Sequence, residues 1–217
     1  MGAMVEFRGL TLKYRWEGYE RSIFNDLSFK VPSGSFLSIT GGNGSGKSSL
    51  LKLILGLISA DSGEIVVDGQ SIQQGYAAGI QKNQLAYLAQ RIESLFFGDT
   101  VKQELNYRGQ LDSKLLLSML DEIQLEHLLE RDIETLSGGE RQGVALIQFL
   151  ASQAPLLILD EPSSYLDNKK SEYLRLKLAN AHGEGRTILH ATQFEEEVAW
   201  GSHLLDLSQP IPEIVQL

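Results

Sequence analysis

Alternation of hydrophobic and polar residues predicts that the chain begins with β structure. Residues 5–13 and 23–31 alternate imperfectly, which is typical of two strands of an antiparallel sheet. The aromatic-rich residues between them, 14–19, are expected to form a loop. Residues 35–40 alternate apolar and small polar side chains as a buried strand does, and the apolar stretch 49–56 predicts a helix.

Strands and helices alternate in the rest of the chain. Short strands are predicted at 64–69 and 85–90, and leucines that recur every three or four residues predict two helices within 111–130. Four apolar residues at 156–159 indicate a fully buried parallel strand. The other predicted elements are helices at 144–151 and 168–181, a strand at 187–191, a helical turn or two at 195–200 and a last strand at 203–207. This alternation implies a largely parallel sheet.

Composition narrows the class of protein. The 217 residues are enough for a full core, and 42% hydrophobic with 22% charged residues is ordinary for a soluble globular protein. The absence of cysteine excludes disulfides, cysteine zinc sites and iron–sulfur clusters, and the net charge of −9 argues against a nucleic-acid-binding surface. The apolar runs are too short to span a bilayer, and the amino terminus lacks the layout of a secretion signal. We therefore expect a soluble cytosolic protein, with peripheral attachment to a membrane permitted.

A glycine-rich stretch between the strand at 35–40 and the following helix has the spacing of a phosphate-binding loop. From Gly41 to Ser48 it carries a glycine, four further residues, a second glycine, lysine and serine. Its backbone N–H groups would face phosphate oxygens, Lys47 would reach the β- and γ-phosphates, and Ser48 would ligand Mg²⁺. The alternative is a glycine-rich turn before a core helix. The predicted nucleotide-binding residues here are Gly42, Asn43, Gly44, Ser45, Gly46, Lys47, Ser48 and Ser49.

Two carboxylates, Asp160 and Glu161, follow the predicted buried strand at 156–159. Ligands of open α/β sheets bind beyond the carboxyl ends of the strands, which would bring both residues to the phosphates. Asp160 would then hold Mg²⁺ through water, and Glu161 would orient or deprotonate an attacking water. The alternative is a solvated acidic pair at a strand end.

Two further stretches are less specific on their own. Tyr14, ahead of the phosphate loop, is a candidate to stack on a purine ring, with Trp16 and Tyr19 less favoured; the alternative is that these aromatic side chains cap the core. Residues 136–140 form a glycine-centred turn before a helix, which alone indicates only an ordinary helix start.

Together these motifs stand in the order found in the ATP-binding cassette (ABC) ATPases, which the chain resembles along essentially its whole length. The turn Leu-Ser-Gly-Gly-Glu at 136–140, ahead of Asp160 and Glu161, makes the resemblance specific, because the phosphate loop alone indicates only a P-loop NTPase. The resemblance implies an α/β fold with a mainly parallel core sheet flanked by helices, an amino-terminal antiparallel β subdomain and an inserted helical subdomain. Within a single domain of 1–217, the core and β subdomain would comprise approximately 1–90 and 152–217, and the helical subdomain 91–151.

The resemblance also implies a head-to-tail dimer with two ATP molecules between its subunits. Each phosphate loop would face the signature turn of the other chain, so Ser137, Gly138 and Gly139 would serve the opposite site. Gln90 would sense the γ-phosphate and Mg²⁺. The implied metal site comprises Ser48, Gln90 and Asp160.

The implied partners are membrane-embedded transporter subunits and a second ABC ATPase subunit, identical or different, with no nucleic acid. Phe96 and Phe97 would contact the membrane subunits, which would place the protein peripherally on the cytoplasmic face of the membrane. The stretch 90–105 is loosely similar to the same stretch in energy-coupling-factor and cobalt-type importer ATPases.

The sequence departs from the family pattern where a switch histidine is usual. Alignment on Thr192 puts Gln193 at that position and Phe194 where aspartate is usual, while His190 is interpreted as a structural residue of the predicted strand. Glutamine can hydrogen-bond a γ-phosphate but cannot carry a proton near neutral pH, which favours slow hydrolysis or an asymmetric dimer. The implied catalytic residues are Glu161, Gln193 and Gln90.

Three functions compete on these observations. The leading hypothesis is an ATPase subunit that powers a membrane transporter. The second is a soluble ABC protein acting on ribosomes, in DNA repair or in cluster assembly, and the third is a nucleotide-binding subunit with weak turnover because of Gln193.

Overall fold

A computed structural model describes residues 2–72, 84–90, 96–107 and 113–217. Its strands are β1 (Val5–Trp16), β2 (Tyr19–Val31), β3 (Phe36–Thr40), β4 (Ser62–Val67), β5 (Gln70–Ser71), β6 (Leu85–Leu88), β7 (Leu156–Asp160), β8 (Thr187–Ala191), β9 (His203–Asp206) and β10 (Ile214–Gln216). Its α-helices are α1 (Lys47–Ile54), α2 (Val101–Tyr107), α3 (Ser113–Glu122), α4 (Gly138–Leu150), α5 (Asn168–Gly183) and α6 (Glu195–Val198). None of these described helices is long and apolar enough to cross a membrane.

The larger sheet is mainly parallel, as predicted. Its strand order is β10-β9-β3-β8-β7-β6, and only the β9–β10 pair is antiparallel. Along β7, Leu156 and Ile158 pack into one hydrophobic cluster, whereas Leu157 and Leu159 pack into another. Because successive side chains of a strand point to opposite faces, this central strand is buried on both sides, which explains its continuous apolar run.

The smaller sheet is antiparallel, with the order β2-β1-β4-β5. It packs with α1 against one face of the parallel sheet, and α4 and α5 cover the other face. The expected loop at 14–19 is wrong in part, because β1 and β2 continue through it as a hairpin in which Trp16 pairs with Tyr19. The turn at its tip consists of Glu17 and Gly18, both with positive φ, which suits the twist of a two-residue hairpin.

The described residues between 101 and 151 form a third hydrophobic cluster, to which α2, α3 and α4 all contribute. Of the two helices expected within 111–130, one is α3, and the second is only a three-residue 3-10 helix at Glu126–Leu128. Gln124 takes a φ of 62°, which ends the helix after Glu122. Residues 111–112 lie outside the described part of the chain, and the subdomain boundary at 91–151 stays a prediction.

Two larger differences from the predicted elements concern the start of a helix and the last strand. Helix α4 begins at Gly138 rather than at 144, because Ser137 caps it. The strand at 203–207 is not the last one, since β10 pairs with it from 214–216.

Candidate functional site

The phosphate loop lies between the carboxyl end of β3 and the start of α1. Because β3, β8 and β7 are parallel neighbours, their carboxyl ends reach the same edge of the sheet. Gly46 has a φ of 105°, and a Cβ atom there would lie 2.6 Å from Ile23 and 2.7 Å from Phe24. Only glycine therefore fits at this position, where the loop turns into the helix.

Lys47 is the first residue of α1 and is buried, with 5% of its surface exposed. Its Nζ atom donates a hydrogen bond of 2.8 Å to the carbonyl oxygen of Gly41 and lies 3.8 Å from Oε1 of Glu161. A buried ammonium is costly unless it is compensated, and these partners supply one neutral carbonyl and one distant carboxylate. A phosphate group bound to the loop would supply the negative charge that the buried ammonium of Lys47 needs.

Ser48 and Asp160 meet directly across the sheet edge. The hydroxyl of Ser48 donates to Oδ1 of Asp160 at 2.9 Å. Burial raises the pKa of Asp160, against the effect of that hydrogen bond. A hydroxyl and a carboxylate oxygen side by side are the hard ligands that Mg²⁺ takes, so these residues fit the predicted metal.

Gln90 and Glu161 form a second polar pair beside the first. The amide Nε2 of Gln90 donates to Oε2 of Glu161 at 2.8 Å, and the amide oxygen of Gln90 is of the kind that can serve as a cation ligand. Glu161 also adopts a left-handed backbone conformation, with φ 47°. Such conformations in residues other than glycine concentrate at functional sites.

A cavity of about 470 Å³ extends from the loop to the hairpin of β1 and β2. Tyr14 and Trp16 border it, and the Tyr14 hydroxyl lies 3.1 Å from Oγ of Ser49. The exposed Trp16 stacks on Tyr19 with ring centroids 6.4 Å apart. The hairpin therefore puts an aromatic wall opposite the phosphate loop, as a flat base requires.

Residues that the sequence did not single out also border this cavity. Arg21 and Ile23 of β2 face it, and one guanidinium nitrogen of Arg21 donates to the carbonyl oxygen of Gly44 at 3.0 Å. They lie about twenty residues before the loop in sequence. Strand pairing alone brings them there, so no local motif could have identified them.

The turn that follows β8 carries Gln193, which is exposed and does not line the cavity in this single chain. His190, inside β8, is fully buried and stacks on Trp200 with centroids 5.3 Å apart. Its position in the core agrees with a structural role. The assignment of Gln193 to the switch position stays a prediction.

Glu197 of α6 is a buried carboxylate that the sequence did not identify. It accepts hydrogen bonds from the hydroxyls of Ser163 and Thr192, and its Oε2 lies 3.3 Å from Nε2 of His190. Burial acts to raise the pKa of Glu197, but the groups that donate to it outweigh burial and lower it. Glu197 thus ties the turn after Glu161 to the turn that carries Gln193.

The signature turn stands apart from all of these contacts. Ser137 and Glu140 form a capping box, in which Oε2 of Glu140 accepts from the backbone N–H of Ser137 at 2.8 Å and from its hydroxyl at 2.7 Å. Ser137, Gly138 and Gly139 are exposed and do not line the cavity of their own chain. The structure therefore does not bring them together with the phosphate loop within one chain.

The chain is similar in sequence to known proteins over most of its length. The sequence profile of the ABC transporter family matches residues 24–164. The energy-coupling factor transporter ATP-binding protein EcfA1 of Streptococcus thermophilus is 34% identical over 95% of this chain and 77% of its own length. The sulfate/thiosulfate import ATP-binding protein CysA of Neisseria meningitidis is 35% identical over 79% of this chain and 50% of its own.

Solved structures match the fold. A dimeric post-hydrolysis state of an ATP-binding cassette bound to ADP and Pi superposes with a TM-score of 0.79 at 22% identity, covering 98% of both chains. A bacterial Atm1-family ABC exporter with ATP bound superposes with a TM-score of 0.82 at 22% identity, covering 99% of this chain and 38% of that chain.

Proposed function

The chain belongs to the ABC transporter family and is an ATP-hydrolysing subunit of a membrane transporter, and we propose that it works as one half of a head-to-tail dimer. The observation that carries this proposal is the convergence of Lys47, the Ser48–Asp160 pair and the Gln90–Glu161 pair on one sheet edge. That edge combines cation, metal ligands and base, as phosphoryl transfer to water requires.

Each of these residues has a distinct role in the proposed reaction. Lys47 and the backbone N–H groups of the loop bind the phosphates, and Tyr14 stacks on the base. Ser48, Gln90 and Asp160 would hold Mg²⁺, which neutralises charge on the phosphates when it is bound. Glu161 accepts a proton from the attacking water, and Gln90 holds the Glu161 carboxylate in place until the nucleotide arrives.

The exposed signature turn supports the dimer. A helix start with free backbone N–H groups is suited to phosphate, yet Ser137 and its glycines do not reach the loop of their own chain. We propose that they bind the nucleotide held by a second subunit, identical or different, so that two ATP molecules lie in the interface.

The membrane partner is proposed to bind near Phe97. This side chain is 69% exposed, although large apolar groups are usually buried, and it borders a cavity of about 630 Å³ with Phe96, Asp99 and Arg141. An exposed aromatic beside charged groups suits a protein interface. By analogy with EcfA1, the partner would be a membrane-embedded transporter subunit, and the chain would lie peripherally on the cytoplasmic face.

Steady-state hydrolysis of Mg-ATP by the purified chain tests the proposal. Wild type should release phosphate, and Glu161→Gln should be at least about a hundredfold slower, because it loses the base. Gln193→His should be faster than wild type if Gln193 limits turnover. Equal phosphate release by wild type and Glu161→Gln would contradict the assigned base, and slower turnover of Gln193→His would contradict the assigned switch position.

A further inference from the structure

The hairpin of β1 and β2 carries two arginines, Arg15 and Arg21, that border the same cavity. Their electrostatic surroundings differ. Arg15 is paired with Glu20 at 3.0 Å and with Asp61 at 2.6 Å. Among the residues that the structure describes, no carboxylate forms an ion pair with Arg21, whose contact is the carbonyl oxygen of Gly44 at 3.0 Å.

Gly44 is shaped to receive this guanidinium. It has a φ of 78°, and a Cβ atom there would lie 2.8 Å from one terminal nitrogen of Arg21 and 3.3 Å from the other. The absence of a side chain at Gly44 therefore lets the planar guanidinium lie directly on the phosphate loop. The contact is specific, since it joins a residue of β2 to the middle of the loop.

Within the described residues, the hydrogen-bond partner of the Arg21 guanidinium is the carbonyl oxygen of Gly44. A neutral carbonyl satisfies only part of the hydrogen-bonding capacity of a guanidinium, which has five N–H donors arranged to bind phosphate or carboxylate oxygens. The loop under Arg21 is the proposed phosphate site, whereas the Tyr14 hydroxyl contacts Ser49, which lies after the loop in α1. Arg21 thus contacts the proposed phosphate-binding loop itself.

We propose that Arg21 is a nucleotide-positioning residue that binds the polyphosphate of ATP from the hairpin side, as a second cation opposite Lys47. The inference rests on the proposed function, because it requires nucleotide on the loop. Arg21 remains on Gly44 when the site is free and donates its other N–H groups to phosphate oxygens when nucleotide binds. Binding of nucleotide would thereby fix the hairpin, with Tyr14 and Trp16, over the cavity.

Calorimetric titration in EDTA, where hydrolysis does not occur, tests this assignment with ATP, ADP and AMP. Arg21→Gln should weaken ATP binding about tenfold, the value of one charge-assisted hydrogen bond, and should change AMP binding less than about twofold. The difference between wild type and Arg21→Gln should shrink as salt is raised. If Arg21→Gln also weakens ADP binding, the contact is with the phosphates that ADP retains. If the variant weakens only ATP binding, the contact is with the γ-phosphate.

Arg15→Gln is the matched control, since it removes an arginine from the same hairpin that is already neutralised by two carboxylates; its ATP affinity should change less than about twofold. Equal losses with ATP and AMP, or an unchanged ATP affinity in Arg21→Gln, would overturn the proposal. A different result would contradict the proposed function itself. In that case wild type would not bind ATP, or Lys47→Ala would bind ATP as well as wild type does.

Discussion

The phosphate-loop edge and the signature turn are both helix starts rich in glycine, yet they differ in how far one chain completes them. Around the loop, Lys47, Ser48 and Gln90 all lie beside carboxylates from distant parts of the same chain, Asp160 or Glu161. At the signature turn, the side chains of Ser137 and Glu140 hydrogen-bond to each other, and the glycines between them are exposed. This difference is the basis of the proposal that the first region is organised within one chain and that a second subunit completes the second.

Loss of Lys47 should have the largest effect on the first region. Lys47→Ala removes the buried cation of the loop, so ATP affinity in EDTA should fall about a hundredfold or more. Lys52→Ala is the control, because Lys52 lies on the exposed face of the same helix. Similar affinities of the two variants would show that the loop does not carry the nucleotide.

A substitution at Gly139 should distinguish the role of the signature turn from that of the phosphate loop. A Cβ atom at Gly139 meets nothing within 4 Å in its own chain, so Gly139→Gln should leave stability and ATP binding unchanged. Hydrolysis should fall about a hundredfold, because the added side chain blocks contact with the other subunit's nucleotide.

Gly183→Gln is the matched control for this variant, since Gly183 ends α5 with equally open space around it. Its phosphate release should equal that of wild type. Normal hydrolysis by Gly139→Gln would contradict a role of the signature turn at any nucleotide site.

The substitution Asp160→Asn should have the smallest of these effects. It should change the Tm, and the sign of that change shows whether the carboxylate stabilises the nucleotide-free fold. Because burial raises its pKa, the free fold favours the protonated carboxyl, so its contribution to stability is present at low pH and is lost as the pH rises through the folded-state pKa. Asp160→Asn should therefore raise the Tm of the nucleotide-free chain at pH 7, by about 2 °C, and lose the advantage at acid pH.

Asp206→Asn gives the opposite control for the Tm measurement. Hydrogen bonds from Ser208 and Gln209 lower the pKa of Asp206, so its stabilising contribution is present at neutral pH and is lost as the pH falls. This variant should lower the Tm at pH 7. A fall of Tm in Asp160→Asn as well would show that its carboxylate stabilises the free fold.

The sequence predicts those site residues that belong to a short contiguous motif or follow a predicted strand. The spacing from Gly41 to Ser48 defines a loop by itself, and the rule that parallel strands end at one edge joins it to Asp160 and Glu161. The mainly parallel sheet was predicted for the same reason, since alternation of strands and helices leaves few other arrangements.

The residues that were missed depend on tertiary packing. Arg21 reaches the loop only because β2 pairs with β1 and passes over Gly44. Glu197 belongs to a run of three glutamates that reads as a solvated helix face, and its burial follows from the packing of α6 beside β8. The hairpin at 14–19 was read as a loop because its strands are exposed there and lack a clear alternation.

Mixing two inactive variants tests most directly whether each site is shared between two chains. Lys47→Ala has a disabled loop and an intact signature turn, and Gly139→Gln has the reverse. If wild type alone hydrolyses ATP, a 1:1 mixture should recover about a quarter of its rate, because half of the dimers are mixed and each has one complete site. A mixture that stays as inactive as its two components would contradict the shared site.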